Sequence, residues 1–198
     1  MPHLPLNIDV RGMTVLVVGG GSVATRKIVP LLNAGAVVKV VSPETTEEIS
    51  RLAAVGAVSV KIGCYETSDL QDVFLAVAAT NDQETNRRIA REARQRGLLV
   101  AMAFEPESGN CTFPALLRRG NLEVSVSTNG ACPGFAAVVR DVIATVIGED
   151  YGSILETLAA EREKLLTDGS HSTYNNKILR SRAGELINQL TERKDSVS

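Results

Sequence analysis

The chain carries almost no charge of either sign in excess: 21 Lys and Arg stand against 23 Asp and Glu, a formal net charge of −2 at pH 7. Proteins that grip nucleic acid in general draw their affinity from neutralising phosphates, so that class of partner has no electrostatic support here. Long apolar runs are missing too. None approaches the roughly 18 residues of a membrane-spanning helix, and no membrane partner is expected. Met1–Val10 lacks the basic and extended apolar regions of a signal peptide, so a cytoplasmic location is expected. Cysteine is scarce, with Cys64, Cys111 and Cys132 widely spaced and odd in number. They read as reduced thiols rather than a disulfide framework. No C-x-x-C pair is present and His3 and His171 are the only histidines, so no metal site is expected. Internal repeats and low-complexity tracts are absent.

What remains is an ordinary globular composition, 44% apolar and 22% charged over 198 residues, enough for one full domain and a smaller appendage. The first half alternates strand and helix. Met13–Val18, Val37–Val41, Ala57–Ile62, Val73–Ala79 and Leu98–Ala103 read as buried strands. Between them, Ser22 to Asn33, Glu44–Val55 and a stretch from Asn81 or Asp82 to Arg96 read as helices. The all-apolar fourth strand is expected to be covered on both faces. Repeated β-α-β units imply a parallel sheet with right-handed crossovers, a Rossmann-like α/β fold.

One segment carries chemistry. Val15-Leu16-Val17-Val18-Gly19-Gly20-Gly21-Ser22-Val23-Ala24 reads as strand, glycine turn and helix start. Gly19, Gly21 and Ala24 fit the G-x-G-x-x-G/A pattern. The first glycine permits the tight turn, the second lets backbone approach a pyrophosphate, and the small third residue lets helix pack on strand. The N–H groups and dipole at the helix N-terminus attract the anion. The pattern alone also suits a nucleotide-free scaffold. The acidic residue that such sites place after the second strand is only partly met: Ser42 or Glu44 can bond a ribose hydroxyl, and either can equally cap the next helix. No Arg or Lys lies between positions 42 and 48, which favours NAD over a 2′-phosphorylated cofactor. Ala78-Ala79-Thr80-Asn81-Asp82 ends the fourth strand with small residues against which a nicotinamide or ribose can lie, besides capping a helix. Arg87, Arg88, Arg91 and Arg94 read as a solvated helix face, whereas Arg118, Arg119 and Arg140 are candidates for pairing with substrate carboxylates.

After the polar stretch Glu105–Asn110 the pattern changes. Leu122–Ser127 alternates as a half-exposed strand, Thr128–Gly134 is a second glycine-bearing loop, and Ala136–Ile147 reads as helix. From Tyr151 the chain reads as helical with a break near 167–173. Leucine and isoleucine stripes (Leu155, Leu158, Leu165, Leu166; Ile178, Leu179, Leu186, Ile187, Leu190) need a partner surface.

Several segments together resemble the dehydrogenase/ferrochelatase module of siroheme biosynthesis. They are Val17–Lys27, Leu31–Ala36, Val41-Ser42-Pro43, Ala78–Asp82, Phe113-Pro114-Ala115, Arg119–Leu122 and Val126–Pro133. The resemblance covers about three quarters of the chain, in order; the methyltransferase module fused to some members has no counterpart in it. It implies NAD-dependent oxidation of the tetrapyrrole precorrin-2 to sirohydrochlorin, in some members with insertion of Fe²⁺. It also implies a Rossmann-like domain over 1–113, a small α+β dimerisation domain over 114–147 exchanged within a homodimer, and a helical C-terminal region over 148–198. Cofactor contacts carry over to Gly19, Gly21, Ser22, Val23, Ser42, Pro43, Glu44, Ala79 and Thr80. Thr128 falls where the family has a Ser or Thr in its second glycine loop. The family's aspartate near the post-strand proline, its candidate proton acceptor and chelation residue, is Phe104 here, and its serine before Pro133 is Cys132. Glu105, one place later, replaces the aspartate only if the loop shifts register, since neighbouring residues at a strand end point opposite ways. Retained dehydrogenase and weak or absent ferrochelatase activity are therefore expected. A non-enzymatic tetrapyrrole scaffold remains an alternative, and a nucleotide-sensing regulatory domain a more distant one that leaves Phe113-Pro114 and the Ser127–Pro133 loop without a purpose.

Overall fold

In the computed structural model, which describes residues 3–167 and 173–195, the five apolar segments of the first half form one parallel sheet. Its strands are β1 (Thr14–Val18), β2 (Val37–Ser42), β3 (Val58–Ile62), β4 (Leu75–Ala78) and β5 (Leu99–Met102), in the spatial order β3-β2-β1-β4-β5. Helices α1 (Ser22–Asn33), α2 (Glu47–Ala54) and α3 (Gln83–Gln95) make three of the four connections. Alternate strand residues feed two cores. Val15, Val17, Val38, Val40 and Val77 meet Ala24, Ile28 and Leu31 of α1 and Ile49 of α2. Leu16, Val18, Val41, Ala76, Ala78 and Val100 meet Ile89, Ala90 and Ala93 of α3. Every residue of β4 is buried, as its unbroken apolar run requires of a central parallel strand.

The sequence pattern offers no element between Ile62 and Val73. The structure places there a single 3₁₀ turn, Thr67–Leu70, too short to show a period. Glu66 and Asp69 form a reciprocal capping box around it, and Lys61 Nζ donates to both carboxylates at 2.7 and 2.9 Å. After β5, a second 3₁₀ turn, Pro106–Ser108, folds the chain back along the sheet edge. There Asn110 does the work of a neighbouring strand: its Oδ1 accepts the Val100 N–H at 2.7 Å and its Nδ2 donates to the Leu98 carbonyl at 2.9 Å. An open strand edge is thereby closed.

Pro114 begins a second compact unit. β6 (Ala115–Arg119) pairs antiparallel with β7 (Leu122–Val126), with Arg119 opposite Leu122 across a Gly120-Asn121 turn. Ala115–Arg119 carries no alternation and is a strand because β7 supplies its partner. Helix α4 (Pro133–Val146) starts three residues before the expected Ala136, with Pro133 at a first-turn position that costs no hydrogen bond. Helices α5 (Asp150–Thr167) and α6 (Thr173–Asp195) pack on each other, with Leu166 and Ile178 of the two aliphatic stripes still exposed; most of the expected break between them lies outside the described residues. Arg119, a candidate for substrate pairing, is instead structural. Its Nε donates to the Ile147 carbonyl at 2.9 Å and its guanidinium pairs with Glu149 at 3.0 Å. Arg118 pairs across the hairpin with Glu123 and Arg140 with Asp141. Residues 114–147 and α5 are thus stitched together across the expected boundary at 147.

Gly152 of α5 is buried against the hairpin, where an added Cβ would stand 2.7 Å from the Arg119 carbonyl oxygen. Backbone on backbone cannot yield cheaply. Gly152→Ala is expected to destabilise this unit by about 1–3 kcal/mol, read as a lower midpoint in chemical denaturation.

Candidate functional site

The connections from β1 and β4 leave toward opposite faces of the sheet, which opens a crevice at the carboxyl ends of these neighbouring strands. The glycine turn sits there. Gly19 has φ +120°, donates its N–H to the Val41 carbonyl at 2.9 Å, and is so close to β4 that an added Cβ would meet the Ala79 carbonyl oxygen, its carbon 2.7 Å away. Gly20, which the fingerprint treats as a spacer, is the tightest of the three. An added Cβ would strike the Glu44 carbonyl oxygen and stand 2.8 Å from Ser42 Oγ, and the Gly20 carbonyl accepts the Thr46 N–H at 2.9 Å. Gly21 is exposed, with nothing within 4 Å of where its Cβ would stand.

Helix α1 begins directly after Gly21, and no side chain caps it. Its first-turn N–H groups and the dipole of twelve residues therefore point at the crevice mouth without a side-chain acceptor. Ser22 is exposed; Val23 packs toward the core, so only its backbone is available to a ligand. Thr25 braces the turn, its hydroxyl 3.1 Å from the Gly21 carbonyl and 3.0 Å from Thr46 Oγ1.

The β2–α2 loop forms the second wall. Ser42 is buried and donates its hydroxyl to the Glu44 carbonyl at 2.6 Å, so it faces into the loop rather than outward as a sugar ligand would. Neither Ser42 nor Glu44 caps α2, which starts at Glu47 rather than at Glu44. Thr46 is the cap, accepting the Ile49 N–H at 3.3 Å. Residues 42–46 are held against the glycine turn and have no freedom to be helical. Pro43 and the side chain of Glu44 are left on the exposed side.

The third wall is the end of β4. Ala79 is buried beneath Gly19. The Thr80 hydroxyl turns inward, 2.8 Å from Asn86 Oδ1, and its N–H and carbonyl are bound by the same carboxamide, so Thr80 offers a ligand a fixed backbone surface and no free side-chain donor. Asp82 caps α3 through the Glu84 and Thr85 N–H groups and takes the Thr85 hydroxyl, and these bonds hold its carboxyl below the usual range.

Glu105 follows β5 and is locked by a two-pronged ion pair with Arg87 of α3, at 2.6 and 3.0 Å. Hydrogen bonding from that guanidinium lowers the Glu105 pKa. A carboxylate so held is a poor proton acceptor, and Glu105 reads as the strap between the β5 loop and α3. The arginine run is the expected solvated face, with Arg87, Arg91 and Arg94 exposed, and it also holds neighbours: Arg88 pairs with Glu92 and lies 5.2 Å over the Tyr65 ring, and Arg94 reaches the Ser108 carbonyl. Phe104 is 52% exposed just past β5. In the second unit, Thr128 Oγ1 accepts the Cys132 N–H at 3.1 Å and its carbonyl the Ala131 N–H at 3.0 Å, which shapes the loop before α4. Burial pushes the Cys111 thiol up to about 11, leaving it inert; Cys64 and Cys132 are also unpaired. No group of His, Cys, Asp and Glu among the described residues makes a metal site, and no helix among them is long and apolar enough to cross a membrane.

Residues 6–115 match the family described as "Putative NAD(P)-binding". A solved structure of SirC, a precorrin-2 dehydrogenase, superposes with TM-score 0.75 at 30% identity, over 96% of this chain and 99% of that one. The chain belongs to the precorrin-2 dehydrogenase family. It is also similar to siroheme synthase of Ectopseudomonas mendocina (strain ymp), 42% identical over 154 residues, and of Nitrosomonas europaea, 38% identical over 168 residues. These cover 78% and 83% of the chain but only 33% and 35% of the larger enzymes, so the chain spans about a third of their length. The crevice fits NAD, which the NAD(P)-binding family model and the precorrin-2 dehydrogenase neighbour together support. It has backbone-only approach at Gly21, an uncapped helix N-terminus for a pyrophosphate, and no cation on the β2–α2 loop to invite a 2′-phosphate.

Gly20 and Gly21 separate folding from binding. Gly20→Ala is expected to cost about 2–4 kcal/mol in denaturant unfolding. Gly21→Ala, entering open space at the N-cap of α1, is expected to cost no more than about 1 kcal/mol in unfolding and to weaken NAD about tenfold in calorimetric titration by obstructing the pyrophosphate.

Proposed function

We propose that the protein oxidises precorrin-2 to sirohydrochlorin with NAD. The observation that carries the reading is the agreement with SirC over nearly the whole of both chains, joined to a crevice built for a dinucleotide. The reaction removes two hydrogens from the macrocycle, one as hydride and one as proton, and NAD supplies the hydride acceptor when bound. The residues of the chain bind and orient. When NAD is bound, Ser22 and Val23 would present N–H groups to its pyrophosphate, Glu44 and Pro43 would hold the adenosine ribose, and the Ala79-Thr80 backbone would bound the nicotinamide end. The gain in conjugation drives the oxidation, so positioning carries most of the rate. With Glu105 tied to Arg87, the proton passes to water, and the absent base forgoes a factor of about 10²–10⁴. Phe104 offers an apolar surface for a macrocycle and nothing to accept pyrrole protons, so Fe²⁺ insertion as a second reaction is weak or absent. The same Phe104 supports the scaffold alternative, and turnover separates the two.

The assembly proposed is a homodimer. Phe135, Val138, Val142 and Val146 form one stripe along α4, each between 58% and 65% exposed. Such a stripe needs a covering surface, and a second copy supplies it through the 114–147 region. The unpaired cysteines suit the reducing cytoplasm.

Purified protein mixed with precorrin-2 and NAD is expected to form NADH stoichiometrically with sirohydrochlorin, and to add iron to sirohydrochlorin slowly or not at all. Tetrapyrrole binding without NADH formation would support the scaffold instead. Glu105→Gln is expected to keep kcat within about threefold, since a strap rather than a base is removed. Val142→Glu is expected to convert the dimer to monomer in analytical ultracentrifugation.

A further inference from the structure

We infer that Asn86 is a positioning residue for the cofactor, setting the width of the crevice from beneath. This rests on the NAD reading above. Asn86 lies in the first turns of α3, is 3% exposed, and belongs to no glycine or acidic fingerprint. Its carboxamide is spent wholly on one neighbour. Oδ1 accepts the Thr80 N–H at 3.1 Å and lies 2.8 Å from the Thr80 hydroxyl, and Nδ2 donates to the Thr80 carbonyl at 2.9 Å. These bonds also fix the amide orientation, since only this one matches donors to acceptors. The Thr80 hydroxyl in turn stands 3.2 Å from the Asp82 N–H, which it accepts. A strand end that would otherwise carry loose backbone groups is thereby clamped to α3.

The clamp is next to the site. Ala79, one residue before Thr80, is the wall on which Gly19 closes, with no room for a methyl group between them. Rotation of the Ala79-Thr80 peptide would move the floor of the crevice and the backbone bounding the nicotinamide. A buried side chain that satisfies a turn and touches no ligand governs geometry rather than chemistry.

Three variants test this, read by calorimetric NAD affinity and by amide hydrogen exchange. Asn86→Ala is expected to speed exchange of the Thr80 N–H and to weaken NAD about tenfold. Tyr65→Phe is the control for mere loss of a buried bond. Tyr65 is also buried on the α3 side, donating to Glu92 at 2.7 Å, and loss of its hydroxyl is expected to lower the unfolding temperature and leave NAD affinity unchanged. Asn86→Asp adds a signature that a purely structural role lacks. A neutral carboxyl can mimic the amide, accepting from the Thr80 N–H and donating to its carbonyl, whereas the ionised form cannot donate. Burial raises the pKa of this carboxyl, so affinity of this variant is expected to fall as pH rises. The wild type, whose Asn86 does not titrate, is expected to lack this fall. Unchanged NAD affinity in both Asn86 variants, or an equal loss in Tyr65→Phe, overturns the inference while leaving the NAD reading intact. A wild-type chain that binds no NAD overturns both.

Discussion

Everything at the candidate site depends on one steric fact: three stretches of backbone meet where no side chain fits. Gly19 lies against the end of β4 and Gly20 against the loop after β2, and neither tolerates a methyl group. The contact ties β1, β2 and β4 at their carboxyl ends, just where their connections diverge to opposite faces of the sheet. The crevice is therefore a consequence of strand order, and its narrowness a consequence of two missing side chains.

Around that contact the polar groups are spent on rigidity. Ser42, Thr25, Thr46, Thr80 and Asn86 are hydrogen-bonded to the walls themselves. What is left for a ligand is mostly backbone, the N–H groups of the first turn of α1 and the strand end at Ala79, together with the exposed side chain of Glu44. A site built this way recognises a pyrophosphate and a flat ring with few side-chain contacts, and asks little acid–base chemistry of its residues. The ion pair between Glu105 and Arg87 agrees with that division, since it uses a carboxylate at the crevice edge to hold a loop.

The second unit follows another logic. Its hairpin is held to the α4–α5 connection by Arg119 and to α5 by the close approach of Gly152, and the apolar stripe of α4 faces outward. One face of that helix packs on β6 and β7, and the other is exposed.

The five strands, the glycine turn and the class of cofactor were legible in the sequence because each is written in local terms: apolar runs of strand length, a fixed glycine spacing, a helix start directly after it. The strand β6 and the 3₁₀ turn at Thr67–Leu70 were not, since one depends on its hairpin partner and the other is too short for a period. Side-chain allegiance was likewise invisible. Ser42, Thr80 and Glu105 are residue types that bind sugars or move protons, and only the tertiary structure decided that Ser42 braces its loop, Thr80 answers to Asn86 and Glu105 to Arg87. Spacing along the chain says which groups are near a site. Which of them are already engaged depends on partners brought from as few as two and as many as 21 positions away, and those pairings are set by packing of the sheet and helices.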